Sequence, residues 1–331
     1  MKNRVSWWDI SKYRNQLFSI AIITIYIHHF FENSKFHIAT GIWNKVLGAD
    51  GVEIFLFLSG MGLCFSLNRK YDLRQFYIKR FKRILPTYLI VGVITWGLID
   101  FVFFNKPNSF IEDLFFITFI TEGNRLYWFI LFILVMYLVY PYIYGRLRWE
   151  NEHREWNFIF FLLISVAINT FVSMFDPGLY NNIGIAINRM TVFLVGSYYG
   201  EKIFHKCSVK KFDLGIVILG AILKAVIIFT NHFKLLFLPQ YLVDTFYIFT
   251  LLFIVIYVLK FLDKLISTKW LARFGKYSLE LYLLNVSLRR IFDYVGFSTS
   301  ILLNYVVLTI IAIVLSILLH NVVEWGMNRL S

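Results

Sequence analysis

Charge is scarce in this chain. Asp, Glu, Lys and Arg make up 16% of its 331 residues, where an ordinary soluble domain carries about a quarter, so one water-soluble globule of this size is excluded. Cysteine is scarcer still. Cys64 and Cys207 are the only two, too few for a disulfide framework or a thiolate zinc site. No cleavable signal peptide is expected, because the first twelve residues are polar and basic and no small-residue cleavage site follows. Repeat periods, low-complexity tracts, a phosphate-binding glycine loop, a serine-centred elbow and metal-ligand spacing are all missing. No metal is expected, and the usual soluble hydrolase and nucleotide-binding classes drop out.

What remains is apolar and basic. The chain is 59% hydrophobic and 20% aromatic, with a formal charge of +13. Apolar runs of about 18 residues or more are long enough to cross a hydrocarbon core of roughly 30 Å. They predict an all-α, polytopic transmembrane bundle of ten spans: 17–33, 51–68, 84–104, 125–145, 157–175, 185–204, 212–231, 238–262, 271–292 and 301–325. Residues 110–121 are apolar but short, and read as a re-entrant or interfacial segment. Loops are short and the chain stops six residues after the last span, so one integral-membrane domain over 1–331 is expected, with no appended soluble domain. With both termini inside, the inner side holds 24 Lys and Arg and the outer side seven. That asymmetry supports cytoplasmic termini in a plasma or inner membrane, and accounts for the basic charge without nucleic acid.

Ionisable residues within spans are expensive and point to function by default. His28 and His29 lie near the outer end of span 1, where an imidazole can serve as general base or simply bond a loop carbonyl. Glu53 opens span 2 at the same depth. It can orient a histidine as the carboxylate of a hydrolase triad does, or sit at a helix N-terminus for the dipole. At the other face, residues 69–83 form a cationic loop of seven Lys and Arg. Arg80 and Arg83, three apart, share a helical side and with Lys79 suit an anionic ligand; positive-inside topology alone also yields a basic loop. The next span then starts at Ile84, with Pro86 in its first turn. Arg189 inside a span needs a partner, with Glu280 and Asp244 as candidates, while Lys224 can snorkel. His320 and Glu324 read as structural. Trp128 sits where an aromatic belt is expected and can alternatively stack on a sugar. Ser59-Gly60 reads as a close helix contact.

Five stretches then carry a resemblance: RNQLFSIAIITIYIHHF, GVEIFLFLSGMGL, FYIKRFKRILPTY, RMTVFLVGSYYG and FGKYSLELYLLN. Together they are similar to the acyltransferase 3 family of bacterial membrane O-acyltransferases, and the resemblance runs over nearly the whole chain. It implies transfer of an acyl group, often acetyl, from cytoplasmic acyl-CoA to a hydroxyl of a carbohydrate or glycolipid. It also implies a catalytic histidine at His29, with Glu53 beside it and His28 the alternative. Donor contacts are implied at Arg80 and Arg83, and acceptor contacts at Trp128 and Arg189 are compatible with it. Two departures stand out. The position that usually carries the first-span arginine, eleven before the histidine, is Phe18; Arg14 lies one turn earlier and shares its face. Asn285 stands where many relatives carry histidine. The mechanism expected is direct transfer with His29 as base and Glu53 orienting it, an acyl-histidine being the other route. A transporter or flippase for an anionic or glycan substrate is the competing reading, and a non-catalytic membrane partner a third.

Overall fold

The computed structural model describes residues 5–33, 50–230 and 239–329. Lys2, Arg4, Lys35, Lys45 and Lys234, counted above in the charge balance, lie outside the described residues, as do the ends of spans 7 and 8 at residues 231 and 238. Among the described residues every regular element is helical. In order they are α1 (Trp7–Lys12), α2 (Arg14–Asn33), α3 (Asp50–Arg69), α4 (Leu73–Trp96), α5 (Ser109–Leu114), α6 (Ile117–Thr121), α7 (Trp128–Leu147), α8 (Arg154–Phe175), α9 (Pro177–Ile187), α10 (Met190–Phe204), α11 (Lys211–Thr230), α12 (Gln240–Leu265), α13 (Lys269–Lys276), α14 (Ser278–Tyr294) and α15 (Leu302–Arg329). A π-helical segment, Gly97–Phe103, extends α4.

Seven of these helices are long and apolar enough to cross a membrane: α3, α4 with its π segment, α7, α8, α11, α12 and α15. The protein is a multi-pass membrane protein. Three of the ten expected spans are not among the seven, for local reasons. Residues 17–33 form one helix, α2, made more polar by Arg14, His28, His29 and Glu32. Residues 185–204 are divided between α9 and α10. Residues 271–292 are divided between α13 and α14 at Tyr277.

The most buried of these helices is α3, which surrounding helices cover on most of its faces although it carries Asp50 and Glu53 in its first turn. In α3, 78% of the apolar window is buried, against 17% in α8 and 22% in α11 and α15, which turn bulky side chains outward. Glycine sets the approach of α3 to α10. A Cβ on Gly196 would fall 2.2 Å from the Phe57 carbonyl oxygen, and one on Gly60 2.3 Å from that of Phe193. Only hydrogen fits there, which is how small residues let membrane helices pack backbone to backbone. Gly60 is therefore a contact between helices, whereas Ser59 beside it lines the cavity described below.

The cationic stretch is mostly helix, not loop. Asp72 caps α4 by accepting from the Gln75 amide at 3.0 Å, a bond that holds its exposed carboxyl below the usual range. Arg69 ends α3 and Lys70 lies between the helices, while from Leu73 the helix runs through Arg74, Lys79, Arg80, Lys82 and Arg83, so Pro86 is interior. It removes one i→i−4 bond there, correcting its placement in a first turn. Residues 110–121 form the two short helices α5 and α6, parted by Phe116 at φ +62°. The Asp113 carboxylate ties that turn together by accepting from Thr118 and, at 2.7 Å, from Asn124.

Candidate active site

One cavity of about 750 Å³ penetrates the bundle. At one end it is lined by Arg14, Arg80, Arg83 and Lys276, and at the other by His28, His29, Trp128 and Arg189. Arg14 and His29 are fifteen positions apart on α2, so the cavity extends for about 22 Å at ~1.5 Å per residue. Ile25, Phe55, Ile133 and Leu279 are among the apolar groups lining it. The shape is that of a slot with charged ends.

At the cationic end, the helical run of α4 puts Arg80, Arg83 and Ile84 on the side facing the cavity. Lys79 is exposed and does not line it, because adjacent helical residues diverge by about 100°. Arg14 reaches the slot beside them. Its guanidinium lies over the Phe18 ring at 5.2 Å, and a Cβ on Gly62 would come within 2.6 Å of its Nη2. The missing side chain at Gly62 makes room for that arginine, and Phe18 stacks on it. Lys276, inside the expected span 271–292 and not singled out from sequence, joins the same rim from the end of α13.

At the opposite end, His28 and His29 both border the cavity, their ring centroids 6.0 Å apart. His29 Nδ1 lies 2.7 Å from Asn285 Oδ1. Asn285 is fully buried and its Nδ2 donates to the Tyr305 hydroxyl at 3.3 Å. That hydroxyl donates to the Tyr26 carbonyl at 2.7 Å. Arg289 also anchors the end of α2, donating to the His29 carbonyl at 3.4 Å and pairing with Glu32 at 3.2 Å.

Glu53 does not hold His29. Its carboxylate pairs with Arg189 at 3.1 Å, and neither Glu280 nor Asp244 serves that arginine. The reason lies in the break of the sixth expected span. Arg189 caps α10 rather than sitting mid-helix, donates to the Ile185 carbonyl at 2.8 Å, and projects its guanidinium over the Trp128 ring at 5.2 Å. Trp128, Arg189 and Glu53 thus form a stack in which Trp128 and Arg189 line the cavity and the Glu53 carboxylate lies behind them. Glu280 instead accepts from His320 at 2.8 Å. Lys224 does not snorkel either. It is buried, 3.4 Å from both Asp50 and Asp244, and ties α11 and α12 to the start of α3. Among the described residues no group of three His, Cys, Asp or Glu side chains is placed to hold a metal ion.

Of the residues singled out from sequence, the fold brings Arg14, Arg80 and Arg83 to one end of a single cavity, and His28, His29, Trp128 and Arg189 to the other. It leaves Lys79 outside and Glu53 one layer back. Asn285 was visible only as a departure from relatives, and Tyr305 carried no signal, since a tyrosine in an apolar span looks like any other.

No curated protein and no solved structure matches this chain. The sequence model of one family, described as an acyltransferase domain, matches residues 19–321. That interval runs from within α2 to within α15 and takes in every residue that lines the cavity from Ile25 to Asp293, leaving Arg14, Asn15 and Phe18 just before it. The chain belongs to the acyltransferase 3 family.

Proposed function

We propose that this acyltransferase draws its acyl group, acetyl in the first instance, from cytoplasmic acyl-CoA and passes it to a hydroxyl of a carbohydrate or glycolipid. The cationic end of the cavity faces the cytoplasm, both termini lie on that side, and the membrane is the plasma or inner membrane. The observation that carries this reading is the single slot joining three arginines to a histidine pair.

The magnitudes agree with a CoA thioester. Its pantetheine arm has about as many chain atoms as four peptide residues and spans about 14 Å extended, at ~3.5 Å per residue. The long arginine side chains at the rim cover the rest of the slot. The phosphates stay with Arg14, Arg80 and Arg83, whose guanidinium groups suit paired oxygens, while the apolar walls take the arm. The acceptor enters beside Trp128 and Arg189. His29 takes the proton of the acceptor hydroxyl as its oxygen attacks the thioester carbonyl. The C–S bond then breaks, and the proton returns from His29 to the departing CoA thiolate. The products are an O-acyl ester and free CoA, with no net change at the histidine.

Membranes holding the full chain are incubated with radiolabelled acetyl-CoA. Label in an alkali-labile glycan or glycolipid ester, abolished by His29→Ala with the protein still monodisperse, is the expected result. Full transfer by His29→Ala refutes the assignment of the base.

A further inference from the structure

The chain Tyr26 carbonyl–Tyr305–Asn285–His29 has only one consistent arrangement of protons. A carbonyl oxygen can only accept. The Tyr305 hydroxyl, 2.7 Å from the Tyr26 carbonyl, therefore spends its single proton there. Its oxygen is left as an acceptor toward Asn285, so the amide must present Nδ2–H to Tyr305, as found at 3.3 Å. A flipped amide would set two lone pairs against each other inside a fully buried site, where an unmade hydrogen bond costs about 1–3 kcal/mol. With Nδ2 committed, Oδ1 faces His29 Nδ1 at 2.7 Å. An oxygen acceptor at that distance requires a proton on the nitrogen.

We infer that Asn285 and Tyr305 are positioning residues that hold His29 as its Nδ1–H tautomer, leaving the Nε2 lone pair for the acceptor hydroxyl. The selection originates at a backbone carbonyl and passes through two neutral side chains. The task that a carboxylate performs in a hydrolase triad, expected above of Glu53, falls to an amide whose direction a tyrosine dictates. A histidine side chain in water favours the other neutral tautomer, so the selection is made by the fold. An amide also leaves the polar end of the cavity without an extra negative charge beside the base. The consequence for rate rests on the reading of His29 as base; the tautomer itself does not.

The test reads the tautomer directly. The full chain, carrying ring-¹⁵N histidine, is reconstituted in lipid at neutral pH and studied by solid-state NMR. Seven histidines are present, and the His29 signals are those lost in His29→Gln. A protonated Nδ1 with an unprotonated Nε2 is expected. A proton on Nε2, in the neutral or the doubly protonated ring, overturns the inference. Tyr305→Phe removes one oxygen, frees the amide to turn, and is expected to give both tautomers; a single unchanged tautomer removes Tyr305 from the relay. In acetyl transfer from labelled acetyl-CoA, Tyr305→Phe is expected to lower kcat about tenfold and Asn285→Leu about a hundredfold, with the acetyl-CoA KM unchanged. An equal rise in KM, or unaltered kcat, overturns the positioning role. Membranes that transfer no label even with the unmodified chain defeat the acyl-CoA reading and leave the tautomer result standing.

Discussion

Replacing Glu53 by Gln should expose how strongly the histidine end of the cavity depends on a charge that does not line it. Glu53 and Arg189 are 3.1 Å apart, with side chains 7% and 18% exposed. At an effective dielectric constant of ~20, two unit charges at that separation attract by about 5 kcal/mol. Part of this offsets the desolvation of both groups, so the pair itself is worth less than that figure. Removing one partner is different, because the other is left buried and uncompensated, which costs about 3–5 kcal/mol. Gln keeps the shape of Glu53 and isolates the charge. Arg189 cannot easily leave, since it also donates to the Ile185 carbonyl and lies over Trp128. Reversible unfolding of the full chain in mixed micelles should therefore show Glu53→Gln destabilised by about 3 kcal/mol or more. Glu53→Gln/Arg189→Gln should regain part of that loss, with a coupling energy of about 2 kcal/mol. A loss below about 1 kcal/mol, or single effects that add to within about 0.5 kcal/mol, would refute a buried ion pair as the support of that wall.

Other consequences follow from the same geometry. Arg80→Ala and Arg83→Ala should each raise the KM for acetyl-CoA about tenfold to a hundredfold, the worth of one charge-assisted phosphate contact. Lys79→Ala, outside the cavity, should leave it unchanged, and saturation kinetics on membranes read all three. Gly196→Ala drives a methyl into the Phe57 carbonyl oxygen and should cost about 3 kcal/mol or more, seen as loss of the monodisperse peak in detergent. Lys224→Met strands Asp50 and Asp244 and should destabilise by about 3–5 kcal/mol; adding Asp50→Asn should recover much of that in the same unfolding assay.

The places where sequence reading and fold part company share one cause. An apolar run announces a span because the bilayer solvates whatever is apolar, and that rule needs no knowledge of neighbours. It does not register a break whose backbone groups are satisfied by local caps and surrounding protein. The junctions at Asn188–Arg189 and at Tyr277 were therefore invisible, and with them the emergence of Arg189 at a helix start rather than mid-span. The run from Leu73 to Lys82 looked like loop because it is polar, yet an amphipathic helix end is polar too.

By itself the sequence determined the all-helical, membrane-spanning class, the two charged poles, and the shared helical side of Arg80 and Arg83 on α4. These are properties of one segment and its solvent. Partnership is another matter: which carboxylate meets which cation, and which group steers His29, depends on helices far apart in the chain. Glu53 lies 24 positions from His29 and Asn285 lies 256 away. Only packing, with each buried polar group seeking whichever complement stands within about 3 Å, settled that the distant amide reaches the imidazole and the nearer acid does not.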